Sequence, residues 1–194
     1  FACAVASLMA VAGVGVATID AQEATAMVDR GVEIPFVFGS RGHILVDVAL
    51  NGQSPVQFAL DTGAGRTVLN DARLAELGLE GRMSSEVVQG AHEQSALGFT
   101  DVGALSLGDV ALGGLELATM DLTHIEGDDM ELFGVLGFDV LSRFDLTLDF
   151  ANNTVALHPR AEHPEECAVC EGAISVPFTL AGGTHIRTEV SISN

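Results

Sequence analysis

From Gly42 onward, apolar positions recur at every second residue. Ile44, Val46, Val48 and Leu50 alternate with Leu45, Asp47 and Ala49, the period of a strand with one covered face. Asn51-Gly52 follows, a pair that accepts positive φ at both positions and so predicts a tight hairpin. The return run Val56 to Leu60 predicts a second strand, delivering the chain to Asp61. Asn70-Asp71 can cap a brief helix reaching Leu77, with Gly78 as its stop. Apolar runs broken by glycine come next, at Ala104 to Leu107, Val110 to Leu112 and Leu115 to Met120, and predict short strands. A short helix is expected over Asp139 to Phe144. After it Leu146, Leu148 and Phe150 alternate with Thr147 and Asp149, then an Asn152-Asn153 turn leads into a strand from Thr154 to Leu157. The pattern predicts a mostly β, closed-barrel-like lobe with one or two short helices, spanning residues 34–158.

The flanks read differently. Phe1 to Thr18 carries no charge and is dominated by Ala, Val and Gly. Residues 1–27 therefore read as a secretory signal, with a retained membrane anchor as the alternative. With Phe at position 1 and no basic leader, the start of such a segment is expected upstream. Either reading implies an extracytoplasmic protein, periplasmic or secreted. Residues 159–173 are rich in Pro, Glu and Cys without periodicity, and read as a linker. Its Cys167 and Cys170 suit a local disulfide in an exported protein. A zinc knuckle would need two more ligands, and only His158 and His163 lie near.

Past the linker the sequence repeats itself. Val176-Pro177-Phe178 echoes Ile34-Pro35-Phe36, and His185-Ile186 echoes His43-Ile44. Val190 and Ile192 fall on Val48 and Leu50, so a single constant offset aligns every one of these pairs. Residues 174–194 are thus expected to begin a second, similar lobe. In that register the counterpart of Asp61 falls just past Asn194.

Composition narrows the function. The formal charge is −19, with 8 basic residues, all Arg, against 27 acidic ones. Nucleic acid is excluded as a partner, since phosphate binding needs clustered cations. No phosphate loop, nucleophile elbow or helical pair of His ligands is present. The acidic cluster Glu126, Asp128, Asp129 and Glu131 lacks the spacing of a calcium loop and reads as a solvated loop. No metal site and no cofactor are expected.

One segment carries chemistry. Phe58-Ala59-Leu60-Asp61-Thr62-Gly63-Ala64 is an apolar strand ending in a carboxylate, followed by a glycine that lets the backbone turn tightly. Such a strand holds Asp61 at a rigid, partly dry position, and Thr62 offers a hydroxyl to fix the loop. Well downstream, Val135-Leu136-Gly137 precedes Phe138-Asp139-Val140-Leu141. These two motifs, in this order, resemble the retropepsin-like aspartic peptidases, retroviral and pepsin-type, in a bacterial variant with Ala after Asp-Thr-Gly.

The resemblance implies that Asp61 is catalytic, that Thr62, Gly63 and Ala64 shape its loop, and that Val135, Leu136 and Gly137 support it. It implies an endopeptidase acting on polypeptides through water activated between two carboxylates, with no covalent intermediate. The second carboxylate must come from a second lobe in cis or from a homodimer partner in trans. The alternative is a catalytically inactive peptide-binding module of the same fold. The family closes its site with a hairpin flap, expected over Glu86 to Phe99 with Gly90, Ala91 and His92 near its tip. The chain has no Tyr or Trp. It therefore lacks the flap Tyr usual in pepsin-like members, which favours the retroviral-like branch.

Overall fold

A computed structural model describes residues 31–89, 94–126, 131–159 and 176–191. The N-terminal segment 1–27, the cysteines Cys167 and Cys170, and the flap residues Gly90, Ala91 and His92 lie outside the described residues. Among the described residues no helix is long and apolar enough to cross a membrane.

The first strand, β1 (Val32–Phe38), is not predicted from the sequence; after it, apolar alternation forms β2 (Ile44–Leu50) and β3 (Val56–Leu60) as expected. The β2–β3 turn is Asn51-Gly52, with φ of 51° and 71°, the left-handed conformation that both residues tolerate. Next come β4 (Val68–Asn70), β5 (Arg82–Gln89), β6 (Gln94–Leu107) and β7 (Val110–Met120). After β8 (Gly134–Leu136), one turn of helix, α1 (Phe138–Leu141), leads to β9 (Phe144–Asp149) and β10 (Thr154–Pro159). A separate hairpin, β11 (Thr179–Ala181) with β12 (His185–Arg187), follows.

The sheet order β6-β7-β4-β8-β3-β2 returns to β6 through Ala49↔Ser106 and Leu50↔Leu105, so six strands close a barrel. Closure removes the exposed edges that an open sheet would present. The interior is packed with aliphatic side chains around Phe58: Val48, Leu69, Leu105 and Leu136 have no exposure at all. Outside the barrel wall a smaller cluster, Leu45, Ala59, Leu122, Leu132 and Val135, buries the opposite faces of the same strands. This explains why Leu45 is buried although it alternates with the core-facing residues.

β1 belongs to two sheets. Val32 to Pro35 pair with β10, and Phe36 to Phe38 pair with β2. Pro35, which has no N–H to donate, sits at the handover, and the Phe36 amide donates to Asn153 O at 2.9 Å.

Three local expectations change. The glycine-broken runs from Ala104 to Met120 are two long strands, not several short ones, because Gly103, Gly113 and Gly114 pass within β6 and β7. Gly114, at φ +64°, lies where the β6–β7 ladder skips one pair between Val102↔Leu115 and Ala104↔Gly113 without a change of register. The element after Asn70 is a 3₁₀ turn, Asp71–Arg73, rather than a helix to Leu77. Asn70 caps it as expected: its side chain accepts the Ala72 amide. The short helix expected over Asp139 to Phe144 is α1, set earlier because Phe144 already belongs to β9.

Phe58 is the largest fully buried side chain and lies on the strand that leads to Asp61. Phe58→Ala is expected to cost about 3–5 kcal/mol, as lost burial plus the cavity left in a closed barrel. Guanidinium unfolding of the variant checks this.

Candidate active site

The Asp61 loop is set by the strands on either side of β8. β3 runs parallel to β8, pairing Phe58↔Gly134, Ala59↔Val135 and Leu60↔Leu136. β4 runs antiparallel along its other edge, pairing Val68↔Val135 and Leu69↔Gly134. The residues between β3 and β4 must therefore loop around the C-terminal end of β8. Asp61 begins that loop, held by its amide donating to Leu136 O at 3.0 Å.

Within the loop, the Gly63 amide donates to Asp61 Oδ1 at 2.8 Å, which orients the carboxylate. The Ala64 amide turns back to Asp61 O at 3.3 Å, and the Phe138 amide donates to Ala64 O at 2.7 Å. Thr67, fully buried, closes the loop. Its amide and hydroxyl both donate to Asp139 Oδ1 at 2.7 Å, and its hydroxyl accepts from the Gly137 amide at 3.0 Å. The Val140 amide adds a fourth bond to this knot, donating to Asp139 Oδ1 at 2.9 Å.

The approach is close enough to require glycine at 137. A β-carbon there would collide with the Arg66 carbonyl carbon and oxygen, and would lie 2.7 Å from the Thr67 amide nitrogen. Gly134 is similarly confined, with Val68 O 2.6 Å from where its β-carbon would be and the Phe58 ring in collision with it.

The residues singled out in the sequence thus come together: Asp61 through Ala64 form the loop, while Val135, Leu136 and Gly137 form the strand end that holds it. Two details differ. Asp61 is exposed in the described structure, since the Asp61 end of the loop projects from the barrel rather than sitting within a dry pocket. Thr62 makes no hydrogen bond among the described residues; the tethering hydroxyl belongs to Thr67 instead. Sequence reasoning misses Thr67 and Asp139 as a pair, because their partnership spans 72 positions and leaves no local pattern.

The hairpin β5–β6 stands beside the site, where the flap was expected. Val87↔Ala96, Val88↔Ser95 and Gln89↔Gln94 pair up to its tip, with a break in register between Met83 and Val87. At its base, the Arg66 guanidinium lies 5.8 Å from the Phe99 ring centre, a cation–π contact between the Asp61 loop and the hairpin.

Behind the site, part of the acidic loop is organised rather than simply solvated. Glu126 Oε1 accepts from Asn70, Arg73 and the Leu132 amide. Arg73 is held charged above its ordinary range, first by its hydrogen bond to Glu76 and then by Glu126. Asp128 and Asp129 lie outside the described residues. Among the described residues no cluster of His, Cys, Asp and Glu could hold a metal.

Residues 46–140 match the protein family described as aspartyl protease. The UBA domain-containing protein Mud1 of Schizosaccharomyces pombe is 30% identical over 127 residues, 64% of this chain. The match spans 36% of that relative's length. Among solved structures, a retropepsin-like aspartic protease from Rickettsia conorii aligns with a TM-score of 0.42 and 18% identity, covering 66% of this chain and 90% of that one.

Thr67→Val keeps the shape of the side chain and removes the hydroxyl that serves both Asp139 and Gly137. It is expected to destabilise the lobe by about 1–3 kcal/mol by stranding buried polar groups, with Thr67→Ser restoring most of the loss. Urea unfolding of the two variants side by side checks this.

Proposed function

Because the chain belongs, through residues 46–140, to the aspartyl protease family, we propose that it is an aspartic endopeptidase with Asp61 as one of two catalytic carboxylates. The observation that carries the reading is the Asp61 loop. A short loop delivers the carboxylate at the end of a barrel strand, and the Gly63 amide and the Thr67–Asp139–Gly137 knot fix its geometry. A carboxylate held this firmly, with one oxygen bonded to backbone, is suited to proton transfer at a defined point.

Two such carboxylates, brought side by side, hold one proton between them, since like charges at that distance do not both ionise. The ionised member takes a proton from water as its oxygen attacks the scissile carbonyl carbon, while the protonated member donates to the carbonyl oxygen. The resulting gem-diol collapses with loss of its proton, the C–N bond breaks, and the amine nitrogen takes up a proton from the dyad. The products are a carboxylic acid and an amine, and no covalent enzyme intermediate forms.

The substrate is a polypeptide, laid between the Asp61 loop and the hairpin β5–β6. The second carboxylate comes from a second lobe of the same chain or from another subunit. The signal-like segment 1–27, uncharged from Phe1 to Thr18, extends the proposal to an extracytoplasmic site of action.

The test is cleavage of an unbiased peptide library by the full-length protein from acid to neutral pH, beside Asp61→Asn. We expect a bell-shaped pH profile and a loss of at least about 100-fold in the variant, the scale of a general acid–base contribution. Silence of the folded wild-type protein at every pH would instead make it a peptide-binding module.

A further inference from the structure

One arginine stands apart from the others of the lobe. Arg73 and Arg82 each meet carboxylates, at Glu76 and Glu126 and at Asp101 and Glu116. Arg41 and Arg143 donate to the carbonyls of His124 and Asp139. Arg66 is exposed, and among the described residues its guanidinium reaches neither a carboxylate nor a carbonyl. Its one close partner is the Phe99 ring, whose centre lies 5.8 Å from the guanidinium carbon. A ring offers no lone pair, so this contact steadies the cation and leaves its N–H donors without an acceptor. The result is a planar fork with unused capacity for a carboxylate.

The backbone fixes where this fork sits. Arg66 is the residue before Thr67, whose amide and hydroxyl both donate to Asp139. Its carbonyl passes so close to Gly137 that a β-carbon at 137 would collide with it. The chain at Arg66 is thus held by the same contacts that fix the base of the Asp61 loop, and its side chain reaches the base of the hairpin β5–β6. Between that loop and that hairpin lies the path proposed above for the polypeptide. The five residues of chain from Asp61 to Arg66 span at most about 17 Å. An extended peptide advances about 3.3 Å per residue, so a substrate residue meeting Arg66 lies within about five positions of the bond at Asp61.

Charge decides what the fork selects. The chain has 27 acidic residues against 8 basic ones, so a cation without a carboxylate is unusual in it. A bound peptide and the hairpin together shield Arg66 from water, and a shielded guanidinium without acceptors costs free energy. An apolar substrate residue leaves that cost in place, and a basic one adds repulsion. A carboxylate removes it by accepting from both arms of the fork. We infer that Arg66 is a specificity-determining residue. It selects polypeptides carrying Asp or Glu at one position near the scissile bond, while Phe99 holds the guanidinium ready. The inference rests on the peptidase reading for the cleavage, though not for the recognition of an acidic peptide.

The test uses the full-length protein and random peptide pools that differ only in holding Glu, Gln or Lys at one central position. Wild-type protein is expected to cleave the Glu pool at least about 10-fold faster than the Gln pool, the scale of one hydrogen bond to a charged group. Mass spectrometry of the products is expected to place the Glu at a constant distance from the cut. Arg66→Gln is expected to lose the preference, and Arg66→Glu to turn it toward the Lys pool. Each preference is a ratio within one protein and does not depend on how much of the variant folds. A preference that survives in Arg66→Gln, or wild-type cleavage of all pools alike, overturns the inference and leaves the peptidase reading standing. A second arm reads binding of the fluorescently labelled pools to Asp61→Asn protein by anisotropy. If the wild-type protein cleaves nothing, yet the Glu pool binds more tightly than the Gln pool and Arg66→Gln removes the difference, the peptidase reading fails and recognition by Arg66 stands. Equal binding of the pools, or none, in such a silent protein overturns both.

Discussion

Everything about the Asp61 loop depends on one strand, β8, lying between β3 and β4. That position requires the chain to leave β3, round the end of β8 and return as β4. Only the stretch from Asp61 to Thr67 makes the passage. The loop is so short that backbone must pass against backbone, and Gly137 is the residue that permits it. The hydrogen bonds of Thr67 to Asp139 and Gly137 then lock what sterics allow. Geometry at the carboxylate is therefore a property of the barrel rather than of the loop.

The same arrangement explains a division of labour along the loop. Its far end, at Thr67, is fully buried and bonded to α1, while its near end, at Asp61, Thr62 and Gly63, is exposed. A rigid base with a projecting end leaves the carboxylate accessible while its position stays fixed. The cation–π contact of Arg66 with Phe99 links the exposed side of the loop to the hairpin β5–β6.

Much of this was legible because it is local. The alternation in β2 and β3, the Asn51-Gly52 turn and the Asn70 cap each follow from a residue's own conformational preference. The Asp-Thr-Gly and Val-Leu-Gly motifs are also short, and their proximity was expected from the resemblance. What escaped was non-local. Nothing in the neighbourhood of Thr67 or Asp139 announces a bond across 72 positions, and Glu126 reads as one more acid in a solvated loop until Asn70, Arg73 and Leu132 are seen around it. Glycine misled where it usually informs. Gly103, Gly113 and Gly114 look like strand breaks, yet two long strands carry them through, since the β6–β7 pairing that flanks them outweighs a weak local preference.

The pairing of Val32 with Leu157 sets the first and last strands of the lobe side by side. The polypeptide thus enters and leaves the domain at one place. A unit whose ends meet is geometrically cheap to copy head to tail, because a short connection suffices and neither copy is deformed by the join. Gene duplication needs no new architecture here, only a stretch of chain between one exit and the next entrance.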